Sequence, residues 1–214
     1  MSDLLPPSVA IAIATYPPSV HGDYPSLIGV ALFSAQEHGV NVFIYQLQVC
    51  TVRAQTTASE LIKWMIPRLP AGRVTIGWQL ADSIMPALLA AGDAATPTAA
   101  HDLVDALAAM VSIDAVDLVD RHGGVAAPPF DSLCAAADIP ATVMFDSDGS
   151  DGPTFGREID VTAALAADVI ATWRLWARSQ RPDDPAPQRF AADVLDQWRI
   201  DDEAIATWRR TDPS

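Results

Sequence analysis

The sequence predicts one α/β domain, a mixed β-sheet flanked by helices, followed by a short tail. Short β-prone runs with brief connections come first, and shorter β-prone runs then alternate with segments of helical period. That order is what a mixed sheet covered by helices requires. The third observation is continuity: no internal repeat and no second apolar block divides the first 180 residues. The domain is placed at residues 1–180, with a proline-rich hinge and helical tail over 181–214.

Val9–Thr15 is an unbroken apolar run between Pro6-Pro7 and Pro17-Pro18, which predicts a buried central strand. Leu27–Phe33 and Asn41–Gln48 follow as β-prone runs, with Glu37-His38-Gly39 as turn material between them, so the first three strands form an antiparallel meander. Thr57-Ala58-Ser59-Glu60 has the pattern of a capping box, and Leu61, Trp64 and Met65 continue it with helical spacing until Pro67 and Pro70. Val74–Trp78 reads as a further strand, then a helical segment runs through Leu89. Gly92–Pro97 is a break, and Asp102–Met110 is the next helix. From Asp160 a long helix runs to about Ser179, with Val161, Leu165, Val169 and Trp173 on one stripe. Arg181 to Pro187 is a polar, proline-rich hinge, and two short helices carry Trp198 and Trp208 beyond it.

At 214 residues, half of them apolar, the chain can bury a full core. No apolar run approaches the ~20 residues of a membrane helix. Met1 to Pro7 lacks the basic and hydrophobic regions of a signal peptide. Cys50 and Cys134 have neither Cys-x-x-Cys nor Cys/His spacing, so they read as buried free thiols of a cytoplasmic protein, not as a zinc site. The net charge is −14, with one lysine (Lys63) and twelve arginines against 27 acids. Affinity for a phosphate backbone comes largely from Lys and Arg, so ordinary nucleic-acid binding is disfavoured. Bound metal ions would relax that argument, because they bring their own positive charge.

Ala12-Ile13-Ala14-Thr15-Tyr16-Pro17 resembles the first motif of the RNase H-like (DEDD-type) 3′–5′ exonucleases, Asp-Ile-Glu-Thr-x-Pro, with both acids replaced by alanine. Ser112-Ile113-Asp114-Ala115-Val116-Asp117-Leu118 resembles the His-x-Asp-Leu-x-Asp-Leu segment of the predicted exonucleases related to the proofreading domain of B-family DNA polymerases. Phe130 to Pro140 is similar to that family's Ser-Leu-x-x-x-(small)-x-x-Gly-Ile-Pro stretch, and Ala164 to Leu175 to its Tyr-Cys-x-x-Asp-Val-x-x-Thr-Tyr-x-Leu. Order and approximate spacing agree from Val9 to Arg178. The resemblance implies an RNase H-like sheet with Val9–Thr15 at its centre.

It also implies a two-metal site, because active members use paired Mg²⁺ or Mn²⁺ ions to stabilise the attacking and leaving oxygens. Such hard ions need carboxylate oxygens. Here the first motif offers only Ala12 and Ala14. In the second motif Trp78-Gln79 stands at Phe-Asn and Ile84 at the ligand Asp, although a gapped alignment brings Asp82 to that place. The third motif keeps Asp168, but its tyrosine is Ala164, and the histidine of the sister subgroup is Ala163. These vestigial positions leave no secure catalytic residue, and Asp168 is the one retained metal-ligand candidate. As a bland alternative, Asp168 is a helix-borne acid that caps, pairs with Arg174 or faces water. Asp114, Asp117 and Asp120 read as a solvated loop or a helix start.

Other chemistry finds little support. His21, His38, His101 and His122 stand without a serine or cysteine motif, and no Walker or Gly-x-Gly-x-x-Gly loop occurs. Asp146 to Gly152 is similar to a calcium loop but lacks its twelfth-position glutamate. The preferred reading is therefore a pseudoenzyme without a cofactor that binds a protein partner, one that is basic or handles nucleic acid. Two readings stand beside it: a metal-dependent 3′–5′ exonuclease built on Asp82 and Asp168, and an inactive binder of single strands that stacks bases on Trp78. Substituting Ala at 12 and 14 is also what an experimenter would do to trap a substrate, but that leaves Ile84 and Ala164 unexplained.

Overall fold

In the computed structural model, residues 4–16, 26–39, 42–52, 57–69, 71–140 and 158–211 are described, with side chains except at 16, 58, 158–160 and 200–211. The strands are β1 (Ser8–Tyr16), β2 (Ser26–Gly39), β3 (Val42–Thr51), β4 (Val74–Gly77) and β5 (Asp114–Asp117). They form one sheet in the order β3-β2-β1-β4-β5, antiparallel among the first three and parallel from β1 through β4 to β5. This is an α/β fold with a mixed sheet, consistent with an RNase H-like architecture, and β1 lies at its centre as the apolar run predicts.

The alternation along β1 divides the core in two, since successive side chains of a strand point to opposite faces. Val9 and Ile11 join Val30 and Leu32 of β2 on one face, covered by α1 (Ala58–Met65), α2 (Met85–Asp93) and α3 (Pro97–Met110). Ala10, Ala12 and Ala14 point to the other face, covered by α6 (Glu158–Gln180). On that face Trp173 of α6 is fully buried, meets Phe33 and Tyr45 edge-on, and donates its indole N–H to Ser8 Oγ at 2.9 Å. The short α4 (Leu118–Arg121) and α5 (Phe130–Ala136) close the β5 side.

The capping box is present in full: the Thr57 side chain accepts from the Glu60 amide, and Glu60 accepts from the Thr57 amide at 2.7 Å. Those hydrogen bonds from Thr57 hold the Glu60 carboxyl below its ordinary range. Several boundaries differ from the expectation. Glu37-His38-Gly39 is strand, not turn, with Glu37 opposite Phe43. Helix α3 begins at Pro97, because Thr96 caps it and proline is well suited to a first turn. The tail is one helix, α7 (Ala186–Thr211), not two short ones. Trp198 packs partly against the α6-side core, while the Trp208 side chain lies outside the described residues. The Asp146–Gly152 segment and His21 also lie outside them.

The Arg181–Pro187 segment is fastened to the domain. Arg181 forms a two-pronged pair with Glu37 at 3.0 and 2.8 Å, and Glu37 Oε2 also accepts the Leu5 amide at 2.7 Å. Asp184 accepts the Ala186 amide at 3.0 Å at the start of α7. A polar, proline-rich composition looks the same whether a linker is loose or pinned by one buried acid.

Candidate functional site

The vestigial positions do not all converge. Ala12 and Ala14 on β1 and Ala164 on α6 belong to the same side of the sheet, where Ala14 is fully buried and Ala164 nearly so. Ile84 lies in the cluster on the opposite side, packed among Leu80 and Leu88. The ungapped alignment therefore brings no side chain to the other three positions. Asp82 is exposed on a π-helical turn, Leu80–Ile84, which precedes α2.

A seat of small residues brings α6 close to the sheet. Ala12 stands opposite Ala31, and Ala14 opposite Gly29. A Cβ on Gly29 would lie 2.6 Å from Leu165 Cδ1 and 3.1 Å from Thr51 Cγ2, closer than packed carbons tolerate. Ala166, Ala167 and Ala171 of the helix are buried in the same cluster, and Ala164 is buried too. Where the exonuclease resemblance puts metal-binding carboxylates, this chain has an apolar helix-on-sheet contact.

Asp168 follows Ala164 by one turn and is half-buried. Its backbone carbonyl accepts the Thr172 hydroxyl at 2.8 Å. Its charge is felt at Cys134 of α5: burial pushes that thiol up to about 12, with Asp168 adding to the rise and Arg174 opposing it. A buried thiol that holds its proton so tightly is inert, in keeping with a packing role. Burial lowers the Arg174 guanidinium, which donates to Gln188 Oε1 of α7 at 3.4 Å. Trp78 gives part of its surface to Phe130, with ring centroids 5.3 Å apart.

The acid with the clearest role is Asp117, at the end of β5. Its Oδ1 accepts the amides of Gln79 and Val119 at 3.1 and 3.0 Å, and its Oδ2 accepts the Ala81 amide at 3.0 Å. It thus caps α4, as a helix-start reading of the acidic cluster requires, and also ties β5 to the turn after β4. That turn is demanding: Gln79 has a positive φ of 55°, and a Cβ on Gly77 would approach Leu80 to 2.9 Å. Asp114 and Asp120 are exposed. The sequence signal for Asp117 is a lone acid before Leu118, which identifies a cap but not the reach to Gln79 and Ala81. Asp117→Ala is expected to cost about 1–2 kcal/mol in urea denaturation, because it leaves three amides to water or strain. Faster hydrogen exchange at Gln79 and Ala81 should accompany that loss.

Among the described residues no group of three or more His, Cys, Asp or Glu side chains is gathered as a metal site. No described helix is long and apolar enough to cross a membrane. His101 makes only an exposed contact, 3.6 Å from Asp105, and His122 ends α4. Comparison with protein-family models, with curated proteins and with solved structures gives no match.

Proposed function

We propose that the chain is a catalytically silent exonuclease-like domain that acts in the cytoplasm as a protein-binding or scaffolding module. The observation that carries this reading is that Ala12 and Ala14, on the side of β1 that α6 covers and there partly and fully buried, stand where the exonuclease resemblance calls for metal-binding acids. Methyl groups offer no oxygen to a divalent ion, and a site without carboxylates cannot hold the paired ions that would stabilise charge on a phosphoryl group. The acidic surface works in the same direction, since a charge of −14 repels a phosphate backbone. A fold without its chemistry serves through its surface, and a basic or nucleic-acid-handling protein is the partner that suits this charge.

The test uses the purified full chain with labelled single- and double-stranded DNA and RNA in Mg²⁺ or Mn²⁺. Turnover no higher than background is expected, together with no micromolar Mn²⁺ binding by calorimetry. Degradation lost in Asp82→Ala or Asp168→Ala would instead establish a metal-dependent exonuclease with a non-standard site. A shift of labelled single strand without degradation would favour a nucleic-acid binder.

A further inference from the structure

The two edges of the sheet are built differently. β5 is four residues long with an acid at each end, which protects an edge from pairing. β3 is ten residues long and, in an acidic chain, carries no charge and no proline from Val42 to Thr51. Val42 and Ile44 are 56% and 60% exposed, on one face of that strand. Among the described residues, no backbone group outside the β2 ladder bonds to β3 between Val42 and Val49. Natural sheets seldom leave such a strand uncovered.

Along the other face of β3 runs a groove of about 660 Å³, between the strand and α7. Phe43, Tyr45 and Leu47 form one wall, and Phe190, Val194 and Trp198 the other. Phe43 stacks on Tyr45 and meets Phe190 with centroids 5.5 Å apart, so the wall is ordered by its own packing. Among the described residues, the one charged side chain lining the groove is Asp193. Burial raises the Tyr45 phenol above its ordinary range, and its hydroxyl is engaged with the Pro187 carbonyl at 3.3 Å. Tyr45 therefore serves as apolar wall.

We infer that the β3 edge and this groove receive an extended, cationic segment of a partner protein, added to the sheet as a sixth strand with alternate apolar side chains in the groove. Strand addition takes its affinity from main-chain hydrogen bonds and its specificity from pockets for every second side chain. The edge, which no described residue pairs with, and the adjacent groove supply these two parts. Charge selects the occupant. A Lys or Arg within the groove-facing set of alternate side chains would meet Asp193 on α7, and further cations would meet a molecule of charge −14. A second copy would bring −14 against −14 and set the Asp193-bearing helices near each other. The assignment rests on the protein-binding role proposed above and gives that role a location.

The test is selection of the full chain against a displayed library of random peptides about as long as β3, followed by synthesis of the enriched peptides. Enrichment of apolar residues at every second position, with a Lys or Arg in that same groove-facing series, is expected. The peptides should slow hydrogen exchange of β3 amides between Val42 and Val49. Asp193→Lys should weaken them by about tenfold or more, whereas Asp102→Lys on α3 should not. An empty selection, peptides indifferent to Asp193→Lys, or unprotected β3 amides would each overturn the proposal. So would a concentration-dependent dimer in sedimentation that Ile44→Lys abolishes, because a second copy would then own the edge. An empty selection beside absent nuclease turnover would remove this site alone, while turnover would overturn the silent-domain reading and leave the peptide outcomes as they stand.

Discussion

Introducing the two acids that the resemblance to the exonuclease motif calls for, as Ala12→Asp with Ala14→Glu, is expected to destabilise the domain severely and to confer no nuclease activity. Ala14 is fully buried opposite Gly29, and a Cβ built on Gly29 would already meet the Leu165 Cδ1 methyl at 2.6 Å, so added atoms here must displace Leu165. A glutamate there must either ionise in an apolar contact or stay protonated at neutral pH. Staying protonated at pH 7 means holding the carboxyl almost three units above its ordinary value near 4.3, at about 1.4 kcal/mol per unit, or roughly 4 kcal/mol. Overpacking adds about 1–3 kcal/mol, against a total stability of about 5–15 kcal/mol for a typical domain.

The sign of the pH dependence separates the two costs. The carboxyl's folded pKa is raised, so its penalty grows as pH rises above the unfolded value and vanishes below it. Urea denaturation should therefore show the full deficit at pH 7 and only the packing part below about pH 4. A double variant as stable as the parent, with Mn²⁺-dependent cleavage of oligonucleotides, would show that the alanine contact is an emptied metal site able to refill.

How far the sequence could be read depended on how each signal is encoded. The centre of the sheet was legible because β1 is buried on both faces and reads as an unbroken apolar run. The α6 stripe was legible because Leu165, Val169 and Trp173 face one core at helical spacing. β5 was not: it has four residues, two of them acids, and is held by pairing with β4 instead of by a pattern of its own. Glu37 was missed for a related reason. A charged residue close to a glycine resembles a turn, and the partners that offset its burial, Arg181 and the Leu5 amide, are distant in sequence. Within the candidate site, the alanines at 12 and 14 are visible as letters. Their effect, the close seating of α6 on Ala12, Ala14 and Gly29, depends on the β1–β2 register and on a helix more than a hundred residues away. Ile84 illustrates the limit of an ungapped alignment, since its chain position follows the motif while its side chain serves the opposite core.

Arg181→Ala is expected to cost about 3–5 kcal/mol, the range for breaking a buried ion pair from one side. The Glu37 and Arg181 side chains are 2% and 12% exposed, so solvent screens the pair little. The loss would leave Glu37 with the Leu5 amide as its hydrogen-bond partner among the described residues and would free Asp184 from its 3.5 Å contact with the guanidinium. Hydrogen bonds to Glu37 raise the already high Arg181 pKa, so the guanidinium stays charged wherever the protein folds. Arg181→Lys should cost less, about 1–2 kcal/mol, because an ammonium keeps the charge but loses the two-pronged geometry. Ending the chain after Gln180 should cost more than either, since it removes Arg181 together with Ala191 and Leu195, which α7 buries against the core. Urea midpoints of the three variants should therefore fall in the order Lys, Ala, truncation. If the truncated chain melts like the full one, Arg181 to Pro187 is a loose hinge after all, and α7 cannot be a wall of a rigid groove. If the order holds, a partner lost on truncation has two explanations, a missing contact or a loosened domain. The point variant Asp193→Lys, which leaves the Glu37–Arg181 pair intact, is then the substitution that separates them.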